Sequence, residues 1–591
     1  MVSTEVAAEG WTRAAGLAQL RAQGRQVFTG ADRPVVLFYE DGQVCALDNR
    51  CPHLGFPLSR GTVADGMLTC HWHHAQFDLR SGCTFSLWAG DVPAYETRVE
   101  ADDVFIRPRT GRDPLAYWRR RLREGMSQNV DLVMVKAVAA LLDLGMAPRQ
   151  LASEAGLWCA QNTPAFSSGL VILTAMAHVA ELVPARLRAL ALSHGVTAAA
   201  GAAAGQAPFR ERTALERDDL DPASGRRWLR QWAGARERDG AERTLRTMLR
   251  CGHDPATIVD ALFSALTDRV YADGGHSVDF TLKAVELAEL VGWAGGAEAV
   301  LPCAIPGALV GARGAEESDA WRRPVDLLAL LASAEQELPA AQREGRGARR
   351  PGHPAALAAI VLGDDPAATV TALLEALRAG MTAVDLAQAV AHAAALRIAH
   401  FGSSNEFSDW DTALHSFTYC QAMHHVLARA ESPELLRGVF HGALAVYQDR
   451  FLNVPPARLP RAQDVAQLPA DGSELCALLL RLTDAQGGLD DAARVVARYL
   501  DGERPVEPLL AALAEGVLRE DAAFHTFQML EAGIRLWQQW DGAPEGRLGL
   551  LAVARYAAAH APTQRAFGQT VSIAERLQRG EALQAGVPQQ A

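Results

Sequence analysis

Two short groups of cysteine and histidine near the N-terminus have the types and spacing of a metal centre. Cys51-Pro52-His53 is followed, after sixteen residues, by Cys70-His71-Trp72-His73. A [2Fe–2S] cluster bound by two thiolates on one iron and two imidazoles on the other requires this set of side chains. A zinc ion bound by two cysteines and two histidines is the alternative, but zinc fingers place closer pairs on a hairpin and a helix. The spacing therefore favours the iron–sulfur cluster.

This stretch resembles the Rieske ferredoxin domain, and the resemblance covers about residues 10–108. The residues that also fit the pattern of that family are Gly55, Gln76-Phe77-Asp78 and Gly82. Phe56 stands where the respiratory branch of the family has the first cysteine of an additional disulfide. The resemblance is therefore to the ferredoxin and oxygenase branch, which supplies electrons to oxygen-activating sites.

The resemblance also implies which residues bind the cluster. It places the two irons on Cys51, Cys70, His53 and His73, with the cysteines on one iron and the histidines on the other. His71 and His74 lie one residue off this spacing, so we do not expect them to be ligands.

Composition limits the class of protein. With 591 residues, of which 49% are hydrophobic, the chain is long enough for roughly two to four domains. The net charge of -12 argues against nucleic acid or an anionic membrane as a partner. No apolar run reaches the length of a membrane span, and the N-terminus lacks the features of a signal peptide. We expect a cytoplasmic protein without a disulfide framework, since its nine cysteines are scattered.

The chain changes character near residue 110. Before it, β-branched and aromatic residues predict short strands, at residues 26–28, 34–39, 43–46, 95–99 and 104–106. After it, apolar residues at helical spacing predict almost pure α-helix. We therefore predict a multidomain protein with an all-β Rieske domain at residues 1–108, a linker at 109–128 and a large all-α domain at 129–591.

The helical part contains an internal repeat. Four segments join a helix through Gly-x-x-(Pro or Ala) to the next helix, and they begin at Leu141, Met248, Ala376 and Arg498. A left-handed glycine ends the first helix, and proline favours the first turn of the next. Each repeat is long enough for several helices, which indicates an internally duplicated domain.

Histidines recur after the repeat glycines. His276, His415 and His525 each begin an apolar helical pattern at a related distance from the glycine, and a polar insert accounts for the extra length before His415. Imidazoles that converge from repeated units suit iron, copper or zinc. The alternative is that each histidine caps or packs its own helix. His441 begins a further apolar run and is a fourth candidate ligand.

Lysine is rare in this chain. Of 57 basic residues only two are lysines, Lys136 and Lys283, which suggests positions where an amine rather than any cation is required, with chance survival as the alternative. Lys283 follows His276 by seven residues, on the same helix face. Beside metal-bound imidazoles it could add carbon dioxide and become a carbamate ligand. The alternative is a salt bridge to Asp279 or Glu286.

The helical part also resembles the questin-oxidase-like proteins, which are all-helical oxygenases of aromatic polyketides. That resemblance implies a non-haem iron site with histidines and a carbamylated lysine, matched here by His276, Lys283, His415, His441 and His525. The fused Rieske domain is a departure from that group.

The leading hypothesis is an iron-dependent oxygenase. The Rieske cluster would pass electrons to the second iron site, which would activate O₂ on a small organic, aromatic or polyketide-like substrate. An external ferredoxin or flavin reductase would reduce the cluster, because no dinucleotide-binding G-x-G-x-x-G follows a predicted strand. The alternative is a non-catalytic electron-transfer protein with a helical interaction scaffold. Non-covalent haem on one or two histidines is a third hypothesis.

Overall fold

The computed structural model describes residues 6–7, 10–31, 33–109, 113–348, 352–502, 504–579 and 581. The chain divides into two compact units, one formed by Met1–Met146 with Gln569–Ala591 and the other by Ala147–Gly568. The first unit contains the strands, and the second is helical. The all-β domain followed by a large all-α region is thus confirmed.

The strands of the first unit form two antiparallel sheets. They are β1 (Val6–Ala7), β2 (Trp11–Gly16), β3 (Arg25–Phe28), β4 (Val35–Glu40), β5 (Gln43–Asp48), β6 (Thr62–Ala64), β7 (Met67–Thr69), β8 (Gln76–Asp78), β9 (Ala94–Glu100) and β10 (Asp103–Pro108). The larger sheet has the order β1-β2-β10-β9-β5-β4-β3, and the smaller has the order β6-β7-β8. The β-branched and aromatic pattern predicts β3, β4, β5, β9 and β10. It misses β1, the six-residue strand β2, and β6 to β8, which are three residues each.

Strand β4 contributes to the core on both faces of the larger sheet. Val35 and Leu37 pack into an apolar cluster on one face of the sheet. Val36 and Phe38 pack into the cluster on the other face, which also contains Cys51 and Cys70. The two cysteine loops are therefore supported by a core on the sheet face.

Three helices complete the first unit, α1 (Leu17–Gln23), α2 (Pro114–Gln128) and α3 (Asp131–Asp143). The predicted linker at 109–128 thus contains a helix along most of its length. Asp113 caps α2 by accepting a hydrogen bond from the Leu115 N–H at 2.9 Å, and Pro114 occupies the first turn. The proline that suggests a linker starts a helix instead. Residues 110–112 lie outside the described residues.

The second unit is built from helices α4 to α23 and the first three residues of α24. They are α4 (Pro148–Gln161), α5 (Ser168–Leu182), α6 (Ala185–Ala203), α7 (Pro222–Ala235), α8 (Arg238–Arg250), α9 (Pro255–Leu266), α10 (His276–Val291), α11 (Trp293–Val300), α12 (Leu327–Gly345), α13 (Ala358–Val361), α14 (Pro366–Arg378), α15 (Ala383–Ala399), α16 (Phe407–Leu427), α17 (Pro433–Gln448), α18 (Ala462–Val465), α19 (Gly472–Leu482), α20 (Leu489–Leu500), α21 (Glu507–Leu518), α22 (Phe524–Gln539), α23 (Arg547–His560) and α24 (Ala566–Gln578). The last residues of α24 belong to the first unit.

The repeat glycines end helices as the sequence predicts. Gly145, Gly252 and Gly380 have φ of +88°, +76° and +96°. In each case the next residue donates its N–H to the carbonyl five positions earlier, at 2.9, 3.3 and 3.0 Å, which is the Schellman arrangement. Gly502, at the fourth position, does not adopt a positive φ.

The third helix of each repeat takes part in a central bundle. Helix α5 contacts α10 and α22, and α16 contacts the same two helices. Together these four helices close a ring in which each has two neighbours. The repeat therefore places four equivalent helices around a shared interior. A polar side chain on each helix can point into that interior.

The second half of the polar insert before His415 is helical. His276 is the first residue of α10 and His525 the second of α22, but α16 begins at Phe407, eight residues before His415. The expectation that each histidine begins its helix is therefore wrong for His415. The insert adds two turns to the N-terminus of α16.

In the described part of the chain, no single helix combines the length and apolar composition of a membrane span. Trp293–Cys303 and Ile305–Gly311, bent by 56° relative to each other, reach that length and composition only as a pair.

Candidate functional site

The first cysteine loop is held by its own backbone. The N–H of Cys51 donates to the Phe56 carbonyl at 2.8 Å, and the N–H of Gly55 donates back to the Cys51 carbonyl at 2.8 Å. Gly55 has φ +82°, a conformation that suits glycine. Backbone hydrogen bonds therefore close the loop.

The second cysteine loop repeats this pattern. The N–H of Cys70 donates to the Ala75 carbonyl at 2.9 Å, and the N–H of His74 donates to the Cys70 carbonyl at 3.0 Å. His74, with φ +60°, occupies the position that Gly55 has in the first loop. His71 bonds Thr62 through its ring, at 2.5 Å from Nε2 to Oγ1. Both histidines that the spacing excludes therefore have other roles in the structure.

The four predicted ligands converge. Cys51 and Cys70 are 3% and 1% exposed, and their thiols hydrogen-bond each other, which is the main reason that the pKa of Cys70 is lowered to about 6. The rings of His53 and His73 lie 4.7 Å apart at 87°. The buried Nδ1 of His53 has no hydrogen-bond partner. Two apposed thiols and an unpartnered imidazole nitrogen fit a metal cluster.

A third loop, which no sequence pattern singles out, packs on the cluster ligands. The Trp88 ring lies 4.7 Å from the His53 ring, nearly perpendicular to it. Arg121 from α2, 4% exposed, donates to the carbonyl of Leu87, the residue before Trp88. The helix predicted to be a linker therefore supports the environment of the cluster.

The comparisons agree with this geometry. The family model of the Rieske [2Fe-2S] domain matches residues 10–95. The ferredoxin subunit of the 3-phenylpropionate/cinnamic acid dioxygenase of Escherichia coli (strain K12) is 34% identical over 74 residues, which are 12% of this chain and 70% of that protein. This chain belongs to the Rieske [2Fe–2S] family. The match supports a [2Fe–2S] cluster in this domain rather than a zinc ion.

Other relatives extend over different lengths. Human apoptosis-inducing factor 3 is 28% identical over 163 residues, which are 27% of this chain and 25% of that protein. Among solved structures, the ferredoxin of carbazole 1,9a-dioxygenase from Nocardioides aromaticivorans IC177 is similar, with 25% identity and a TM-score of 0.16, over 17% of this chain and all of that ferredoxin. Each of these alignments covers a minor part of the present Rieske protein.

Three histidines of the helical unit meet at one end of the central bundle. The Nε2 atoms of His415 and His525 are 2.9 Å apart, and the His276 ring lies 4.4 Å from that of His415. One ring nitrogen from each of the three lies within 4.8 Å of the others. We call His276, His415 and His525 the histidine triad. The sequence pattern predicted these three residues as ligands, and the structure brings them together.

The surroundings of His276 and His415 favour the neutral form of the imidazole ring. Burial, with a smaller contribution from neighbouring histidines, lowers the pKa of His415 to about 3 and also lowers that of His276. The buried Nδ1 of His276 has no hydrogen-bond partner. Since metals bind the neutral ring, this environment favours metal binding over protonation.

A carboxylate fixes one of the triad rings. Asp411 Oδ2 lies 3.2 Å from Nδ1 of His525, and its Oδ1 accepts from the Tyr556 hydroxyl at 2.7 Å. An Nδ1–H donated to Asp411 leaves Nε2 of His525 free to bind a metal. Asp411 comes from the helical insert before His415. Sequence reasoning missed it because the insert has the composition of a loop.

Lys283 does not join the triad. Its ammonium donates to Glu286 at 2.9 Å and to Glu531 at 2.7 Å, and Arg535 bridges the same two carboxylates. Lys283 and both glutamates are almost wholly buried. This is the salt bridge that the sequence left open for Lys283, with Glu531 as a second partner, and the geometry gives no support to a carbamate ligand.

His441 is the other predicted ligand that lies apart. It is 1% exposed, both its ring nitrogens are without a partner, and it is not a member of the triad group. His178 lies on α5 and is not part of the triad. It contacts Glu531, with 2.8 Å between Nδ1 of His178 and Oε1 of Glu531. A cavity of about 270 Å³, lined by Ile534, Arg535 and His178, lies at that end of the bundle.

Proposed function

We propose that this Rieske protein is an iron-dependent oxygenase with two metal centres in one chain. The cluster, on Cys51, His53, Cys70 and His73, supplies electrons singly. The histidine triad holds a non-haem iron, at which O₂ is activated to oxygenate a small organic substrate of the aromatic or polyketide-like class. An external ferredoxin or flavin reductase reduces the cluster.

The observation that carries the proposal is the triad itself. One ring nitrogen from each of three histidines, on three helices, lies within 4.8 Å of the other two, and a carboxylate lies beside one of the rings. Three protein ligands leave further coordination positions free for a small molecule. Related ferredoxin subunits, by their names, serve dioxygenases, which agrees with an oxygen-activating role for the electrons.

The residues around the triad define what the protein itself contributes. Asp411 holds the proton on Nδ1 of His525 and so presents Nε2. The Tyr556 hydroxyl holds Asp411 in place. Phe280 and Phe524 flank the His276 ring, at 5.2 and 5.9 Å between centroids, and keep water from that side.

Metal analysis tests the proposal. Protein purified without oxygen should contain about three irons per chain, since the cluster accounts for about two, and reduction with dithionite should give a Rieske EPR signal. His276→Ala, His415→Ala and His525→Ala should each lose the additional iron and the reductant-dependent O₂ consumption, and keep the Rieske signal. His424→Ala, a half-buried histidine on α16 outside the triad, is the matched control and should keep both centres.

The other candidate function is an electron-transfer protein with a helical scaffold. The direct contact of His415 with His525 favours it, because the two rings satisfy each other without a metal. About two irons per chain, no zinc, and triad variants that leave redox behaviour unchanged would establish this function and exclude the oxygenase. Zinc in place of the third iron would retain the metal site but exclude O₂ activation there.

A further inference from the structure

Lys136 is a buried cation directed at the first cysteine loop. It lies on α3 and is 9% exposed. Its ammonium donates to two consecutive main-chain carbonyls, those of Pro52 and His53, at 2.6 Å each. Within the described residues, no carboxylate lies within ion-pair distance of it. One of only two lysines in the chain is thus used on the loop that carries two cluster ligands.

The peptide between Pro52 and His53 connects this ammonium to a ligand sulfur. Its carbonyl accepts from Lys136, and its N–H hydrogen-bonds the sulfur of Cys51. A cation on the carbonyl side polarises the peptide, which strengthens the N–H···S bond. Lys136 therefore acts on Cys51 through one peptide unit as well as through space.

Burial of an ammonium without a carboxylate requires compensation. A cluster on the two cysteines places negative charge beside the ammonium, and reduction adds one more electron. Hydrogen bonds to the sulfurs and nearby charge are among the factors that set the potential of such clusters.

The geometry points to Lys136 as a positioning residue of the Rieske centre, which fixes the Pro52–His53 peptide and raises the reduction potential of the cluster. Its ammonium contacts main-chain carbonyls of the ligand loop and not the ligand side chains. This role concerns the cluster alone and does not depend on a metal at the histidine triad.

The potential of the cluster tests this role in the full-length protein. Lys136→Met removes the charge and both hydrogen bonds, Lys136→Gln keeps a neutral donor, and Lys136→Arg keeps a cation. Potentials of all variants and the wild type are measured by EPR-monitored titration at one fixed pH. In Lys136→Met we expect at least a tenfold fall in the equilibrium constant for one-electron reduction, which corresponds to about 59 mV. Lys136→Gln should fall between this variant and the wild type, and Lys136→Arg should be nearest to the wild type.

Arg120→Met is the matched control, because it removes an exposed cation from the neighbouring helix α2, and it should leave the potential unchanged. An unchanged potential in Lys136→Met or Lys136→Gln, with full cluster content and an unaltered EPR line shape, would overturn the inference. If neither neutral variant retains the cluster, retention in Lys136→Arg supports the role of the cation, and loss in Lys136→Arg as well refutes it.

Discussion

The cluster site and the histidine triad are built in opposite ways. The cluster ligands lie within 23 residues, from Cys51 to His73, on two loops that close through their own backbone hydrogen bonds. The triad is drawn from three helices between His276 and His525, and its members meet only because the bundle packs. Local hydrogen bonds define the first centre, and tertiary packing defines the second.

This difference predicts that the two centres are lost independently. Cys70→Ser should abolish the Rieske absorption and EPR signal completely, because a thiolate ligand is removed, while the metal at the triad stays bound. Optical spectra and metal content per chain measure both. Cys83→Ser, an exposed cysteine of the same unit, is the control. Loss of both metals in Cys70→Ser would show that the centres depend on each other.

Lys283 belongs to the packing of the bundle rather than to metal binding. Lys283→Met leaves the buried carboxylates of Glu286 and Glu531 short of one cation, which should lower the free energy of unfolding by about 3–5 kcal/mol, measured with urea. Arg429→Met breaks the more exposed pair with Glu289 and should cost about 1 kcal/mol or less. Metal loss from Lys283→Met at unchanged stability would instead restore its predicted role as a ligand.

A smaller effect is expected one contact away from the triad. Asp411→Asn weakens the hold on the His525 ring and should reduce metal affinity about 10- to 100-fold, as measured by chelator competition. Tyr556→Phe keeps the contact between Asp411 and His525, so its effect should be smaller. Equal affinity in Asp411→Asn and the wild type would mean that packing alone orients His525.

The extent to which sequence predicted each centre follows from the same contrast. The cluster residues, the strands around them and the left-handed glycines at 145, 252 and 380 are local features, and each is readable from spacing. The triad was predicted from an internal repeat, because residues at equivalent positions of a repeat can lie close together although they are far apart in the sequence. Prediction missed Asp411, which lies in an insert that interrupts the repeat. It also took α2 for a linker, because a proline is typical both of linkers and of the first turn of a helix. His441 and Lys283 are residue types that could bind a metal. Which side chains meet at the triad depends on the packing of the helices, and the sequence does not show this packing.

The order of the elements along the chain affects how the protein acquires its metals. During synthesis from the N-terminus, both cysteine loops have emerged long before the helical unit is complete, so a cluster can be inserted into a nascent chain. The triad is complete only when α22 has been made, some 450 residues after His73. An ion bound at the triad would therefore enter a nearly finished protein, after the bundle has begun to close. The cluster and that ion would then be delivered at different times and to differently folded forms of the same molecule.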